Sequence, residues 1–344
     1  LRDGFTKYNW FVGSPINNYN VSVNIADYAH FSDVYEGKNG KLTLDYFVLK
    51  ENLDKAKTQF NADVKPMMEC FEHRFGPYPF YKDGYKLIET PYLGMEHQSA
   101  IAYGNKYKKG YLGKDLSGTG LGMDWDYIIV HESGHEWSRN NITSKDIADM
   151  WIHEAFTMYS EGLFVECKKG KDAGLRYIAG VRNSIQNDRP IIGPYNVNKE
   201  GSGDMYYKGA NLLETVRAII NDDKKWLGIL RGLNEKFGLK TTSTKEVVDF
   251  INQKAGTDLT KVFDQYLRYT QIPTLEIEAG EHNRVSYRWK ADVPGFDMPL
   301  RVRTSGTQNW QVIKPGTGWK TLDNASPDSL EVDTLNFYIK VSQL

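Results

Sequence analysis

Apolar and polar positions alternate over residues 16 to 49. Val21, Val23 and Ile25 keep a period of two, and beyond the turn Gly37-Lys38-Asn39-Gly40 so do Leu42, Leu44, Tyr46 and Val48, which predicts β-strands. From Glu51 the spacing lengthens: Leu53, Ala56, Phe60, Val64, Met67 and Phe71 fall three or four apart, the stripe of an amphipathic helix with a kink at Pro66 and a stop at Gly76-Pro77. A short strand over Lys86 to Thr90 and a strand pair over Leu93 to Gln98 and Ser99 to Tyr103 follow. The six glycines and several lysines of residues 104 to 123 predict a mobile surface loop. Helical periods dominate from Asp124 to Gly256. Thr143 and Asp146 stand at capping-box spacing before the run Ile147 to Val165, as do Ser243 and Glu246 before Val247, Val248, Phe250 and Ile251. Past Ile272-Pro273 alternation returns at Leu275, Ile277, Val285, Tyr287, Trp289, Leu300, Val302, Phe337, Ile339 and Val341, broken by Gly and Pro as in a small β-sandwich.

Composition narrows the classes of function. The 344 residues give room for roughly two domains. With 43 Lys and Arg against 44 Asp and Glu, no strongly basic half exists, so nucleic acid is not an expected partner. Apolar stretches such as Tyr127 to Val130 fall far short of the roughly 20 residues of a membrane span, so none is predicted. Cys70 and Cys167 lie far apart without the paired spacing of a zinc ribbon or redox site, which leaves any metal to His and carboxylates. Two cysteines do not choose between the cell envelope and the cytoplasm. The chain opens on Leu1 rather than Met, so an upstream part is expected to have been removed.

The chemistry concentrates in His131-Glu132-Ser133-Gly134-His135. On a helix, residues four apart share a face, so both imidazoles reach one cation with Glu132 beside them. Such a string arises by chance roughly once in a hundred chains of this kind. Eighteen residues after His135 comes Glu154, on a helix that would return antiparallel over the His pair. Two imidazoles and one carboxylate leave a fourth position open for water, the donor set of a catalytic zinc, and Glu132 is placed to act as general base. His30, His73, His153 and His282 lack partners at metal-binding spacing, and Glu136 points to another side of the helix from the base.

With Gly94-Met95-Glu96, His131-Glu132-x-x-His135 and Glu154 in place, the chain resembles the aminopeptidase N family of gluzincin zinc metallopeptidases. Phe75-Gly76-Pro77-Tyr78-Pro79-Phe80, Tyr206-Tyr207-Lys208-Gly209 and Phe263 to Pro273 extend the likeness over residues 41 to 275. The resemblance implies an α+β fold: a thermolysin-like catalytic domain with a small mixed sheet and a helical lobe over 41–272, a β-sandwich over 273–344, and in 1–40 the remnant of an N-terminal β domain. It implies one Zn2+ per chain on His131, His135 and Glu154, with Glu132 activating water. Tyr206, or Tyr207 if the register slips by one, would donate to the oxyanion. Glu96 would grip the free α-ammonium of a peptide, and Glu161, two turns after Glu154, would orient a ligand His. The implied activity is a zinc aminopeptidase acting, as a monomer, on peptides with a free N-terminus.

Leu93 and Gly94 stand where the family has two small residues before Met-Glu-Asn, His97 stands at the Asn position, and the third ligand lies in Trp151-Ile152-His153-Glu154-Ala155-Phe156. These departures leave the metal ligands in place and alter the groove. The alternatives are a thermolysin-like endopeptidase, which shares ligands and base and differs at Glu96, and a peptide-binding scaffold of the same fold without turnover. Beside the family the chain also reads as shortened, so full activity is expected to need upstream residues.

Overall fold

A computed structural model describes Gly4 and residues 6–280, 284–323 and 325–344; residues 1–3 and His282 of the sequence reading lie outside it. Strands β1 (Tyr28–Gly37) and β2 (Gly40–Leu49) form a hairpin around the predicted turn, with Leu42, Leu44, Tyr46 and Val48 turned inward and fully buried. Helix α1 (Leu53–Phe75) runs through Pro66 and ends at Gly76, whose φ of 100° suits a residue without Cβ. Strands β3 (Tyr85–Glu89), β4 (Gly94–Met95) and β5 (Ile101–Tyr103) complete a five-stranded mixed sheet in the order β1-β2-β3-β5-β4. The short strand β4 therefore forms an open edge.

Helix α2 (Tyr127–Gly134) starts at Asp126, whose side chain accepts from the Ile128 and Ile129 amides. After the short β6 (Ile142–Ser144), the helical part comprises α3 (Trp151–Lys169), α4 (Lys171–Gly180), α5 (Tyr207–Ile220) and α6 (Asp223–Phe237); past β7 (Lys240–Thr242) come α7 (Thr244–Ala255) and α8 (Thr260–Arg268). Ser243 and Glu246 make the expected capping box. The last part is all β: β8 (Thr274–Gly280), β9 (Arg284–Lys290), β10 (Leu300–Thr304), β11 (Gln311–Ile313), β12 (Lys320–Asp323), β13 (Leu330–Val332) and β14 (Lys340–Gln343) form a four-stranded sheet, β12-β9-β8-β14, and a three-stranded one, β11-β10-β13. The architecture is mixed α and β.

Three expectations are corrected. Val21, Val23 and Ile25 alternate yet form no strand and are largely exposed, because alternation gives a period but no partner. Thr143 lies in β6, paired parallel with β7, and Asp146 caps only a short turn at Ile147–Asp149; the long helix starts at Trp151. Residues 104 to 123 are pinned by fully buried Asn105, whose amide nitrogen donates to the carbonyls of Lys108 and Gly110 and to Asp126 Oδ1. The structure also joins Cys70 of α1 to Cys167 of α3 in a disulfide, Cα atoms 6.1 Å apart, which no spacing signal announced.

Candidate metal centre

Helix α2 carries His131 and Glu132 in its last turn, and His135 follows directly. Gly134 lets α2 meet α3 closely, since a Cβ there would stand 2.7 Å from Ser160 Oγ. The approach brings Glu154, in the first turn of α3, over the two imidazoles. Its Oε2 lies 3.3 Å from His135 Nε2 and 3.9 Å from His131 Nε2, and the three donor atoms all fall within 4.8 Å of one another. Tetrahedral zinc with bonds of about 2.0–2.2 Å holds its ligand atoms about 3.3–3.5 Å apart.

The hydrogen bonds behind the imidazoles fix which nitrogen faces inward. His131 Nδ1 donates to Glu161 Oε1 at 2.7 Å, and Tyr177 donates to Glu161 Oε2 at 2.6 Å. His135 Nδ1 lies 3.0 Å from Thr157 Oγ1, its partner on α3. Glu161 holds the His131 proton on Nδ1; with the His135 proton likewise on Nδ1, the state a metal ligand needs, both Nε2 lone pairs would point at Glu154 Oε2, a buried oxygen with no hydrogen-bond partner among the described residues. Lone pairs facing a carboxylate oxygen repel unless a cation lies between them, so the donor set fits a zinc ion.

Charges without that ion show the same crowding. Burial opposes the imidazolium of His131, but the bond and charge of Glu161 outweigh it, and the pKa rises; at His135 burial is likewise outweighed by Glu154. Burial would raise Glu154, yet His135 and His131 pull it down to about 2. Glu132 is pushed up to about 8, first by burial and then by Glu96, Glu154 and Glu161, despite His131. A bound dication would reverse this and favour its carboxylate.

The edge strand β4 closes the site from the other side. A Cβ on Gly94 would lie 2.9 Å from both Glu132 Oε1 and Ile128 Cγ2, so strand and helix approach only because this position is glycine. Glu96 is buried and reaches to within 4.8 Å of Glu132 and His135. Tyr206 stacks on His131, ring centroids 6.2 Å apart, and Tyr207 lies beyond it, near Glu161 and Tyr111. Lys208 is held by the carbonyls of Tyr269 and Thr270, both at 3.0 Å, and Gly209 allows α5 onto Ala155 of α3.

Sequence reasoning missed two groups. Arg139 Nε lies 2.6 Å from Glu96 Oε1, and the Tyr19 hydroxyl, 3.3 Å from the same oxygen, brings in the N-terminal segment. His97, at the departing motif position, meets Ser22 Oγ at 3.0 Å and anchors that segment further. Glu136 lies apart from the candidate ligands: it accepts from Tyr78 at 2.7 Å, from Asn140 and from the Ser99 amide, and so holds the loop after β4. His153 is buried, but its Nε2 accepts from the Ser144 amide instead of facing the centre.

Residues 59–266 match the model of the peptidase family M1 domain. Among curated relatives, probable aminopeptidase 1 of Sulfurisphaera tokodaii is 22% identical over 98% of this chain and 45% of its own length. Aminopeptidase N of Escherichia coli is 21% identical over 80% of this chain and 34% of its own length. The chain thus spans less than half of either relative. The solved structure of Legionella pneumophila aminopeptidase A in complex with aspartic acid superposes with a TM-score of 0.71 at 13% identity, over 92% of this chain and 38% of that one.

Proposed function

The chain belongs to peptidase family M1, a zinc-dependent family, and from that premise we propose that it is an aminopeptidase that removes the first residue of peptides with a free N-terminus. The observation that carries this reading is Glu154 Oε2, without a hydrogen-bond partner among the described residues, facing the Nε2 atoms of two imidazoles, with Glu132 and Glu96 beside them. One zinc per chain on His131, His135 and Glu154 would supply a Lewis acid that acidifies water and polarises the scissile carbonyl. Glu132 takes the proton from the attacking water and delivers it to the leaving amine. Tyr206 donates to the oxygen on which negative charge develops. Glu161 holds His131 in the tautomer that presents Nε2. Glu96 receives the α-ammonium through a charge-assisted hydrogen bond.

An endopeptidase of the thermolysin kind would need the groove open beyond Glu96. Tyr19 and Arg139 occupy that end, which favours the exopeptidase reading. In the same reading residues 41–272, with β1 joined to their sheet, form a thermolysin-like domain acting as a monomer, and 273–344 a β-sandwich. The test compares hydrolysis of alanyl and leucyl amides with that of their N-acetylated forms. Cleavage of the free amines alone is expected; equal cleavage of the blocked forms would refute the exopeptidase assignment.

A further inference from the structure

Arg139 presents a strong charge that the proposed reaction does not use. Its Nε edge is taken by Glu96 and the Tyr19 hydroxyl, and the guanidinium lies 4.6 Å from the centre of the Tyr19 ring. The other edge is different. Among the described residues Nη1 meets only Met150 Sδ, at 3.1 Å, and His153 Nδ1, at 3.2 Å.

His153 is no acceptor for it. Its Nε2 already accepts from the Ser144 amide at 2.8 Å, so the single ring proton sits on Nδ1 and points toward Met150 Sδ, 3.3 Å away. Among the described residues the outer edge of Arg139 therefore has no anionic partner.

That edge borders a cavity of about 240 Å³, also lined by Asn18, Tyr19, Ile147, Met150 and His153, in which Arg139 is the one charged lining residue. Two of its lining residues, Arg139 and Tyr19, touch Glu96 Oε1, so the cavity lies next to Glu96. Glu96, for its part, spends Oε1 on Arg139 and Tyr19, while Oε2 has no hydrogen-bond or ion-pair partner among the described residues. A carboxylate oxygen and a guanidinium edge thus lie side by side, each with free capacity. We propose that Arg139 and this cavity form a subsite for the side-chain carboxylate of an acidic first residue, Asp or Glu, whose α-ammonium rests on Glu96.

The inference rests on the aminopeptidase reading and names its substrate class. A first-residue Gln fills the same space without the charge, and a Lys would set a second cation against the guanidinium. A charge-assisted bond to a buried guanidinium corresponds to about a 10- to 100-fold preference of Glu over Gln.

The experiment measures kcat/KM of the zinc-loaded protein and of Arg139→Gln on Glu, Asp, Gln, Leu and Lys amides. The expected Glu-to-Gln ratio is about 10 to 100 in the unaltered protein, with Lys the poorest substrate, and near one in Arg139→Gln. A ratio of one or less in the unaltered protein overturns the proposal, and this comparison stands even where the variant fails to fold. So does a uniform rise on all substrates in Arg139→Gln, which would make the guanidinium a plug in the amine site. Calorimetric binding of free L-glutamate and L-glutamine to zinc-loaded Glu132→Gln reads the subsite without turnover, glutamate being expected to bind tighter by the same factor. Selective glutamate binding without hydrolysis of any amide would refute the aminopeptidase reading and keep the subsite. Hydrolysis without preference for acidic residues would do the reverse.

Discussion

Replacing Glu161 by Gln keeps the shape of a fully buried side chain and removes one negative charge 2.7 Å behind the proposed ligand His131. The Gln carbonyl still accepts from Nδ1, so the tautomer survives, while the imidazole loses the charge that makes Nε2 a stronger donor to a cation. Losing such a supporting carboxylate weakens zinc affinity about 10- to 100-fold, or about 1.4–2.7 kcal/mol. The pH dependence adds a check. Glu161 also raises the pKa of His131 in the metal-free protein, against the effect of burial, and so strengthens the proton that competes with zinc. Removing it relieves that competition, so the affinity loss should be full near pH 8 and smaller near pH 6. Zinc dissociation constants from chelator competition at the two pH values, with thermal melts to verify folding, measure both effects. A dissociation constant within twofold of the unaltered protein at pH 8 would refute the role given to Glu161.

Gly94→Ala forces a Cβ to within 2.9 Å of Glu132 Oε1 and Ile128 Cγ2. It is expected to lower kcat at least tenfold and cost about 1–3 kcal/mol of stability, and unchanged kcat would show that Glu132 does not depend on the edge strand. Tyr206→Phe removes the proposed donor at the oxyanion and should lower kcat about 10²- to 10³-fold with zinc content intact; the same loss in Tyr207→Phe alone would move the role by one residue. Cys70→Ser opens a loop with a sequence separation of 97 residues and should cost about 2–4 kcal/mol in denaturant unfolding. Because the bond persists in an oxidising compartment, the native protein should be lighter by two hydrogens by mass spectrometry, and an unchanged unfolding midpoint would refute its contribution.

The candidate metal site was legible because helical geometry makes its relations local: His131 and His135 lie one turn apart, and Glu154 and Glu161 share a face of α3. Helix α1 and the capping box at Ser243 were legible for the same reason, as local periods and local hydrogen bonds. Arg139 was not, since it follows α2 where the helical period breaks: Ser138 has φ −116° and ψ 46°, so the side chain's direction cannot be counted from His135. Its partner Tyr19 is 120 residues away, in a segment whose alternation predicted a strand that does not form. The Cys70–Cys167 pair depends on how α1 packs against α3, and Asn105 organises its loop through side-chain bonds that glycine content conceals.

The central claim is that His131, His135 and Glu154 hold a zinc ion beside which Glu132 acts as base. Glu132→Gln tests it most directly, with zinc content and hydrolysis of aminoacyl amides measured on the same samples. The account predicts one zinc per chain in both proteins and, in the variant, a loss of kcat of at least about 10²-fold. Hydrolysis persisting in Glu132→Gln, or less than stoichiometric zinc in the unaltered protein after loading, would contradict it.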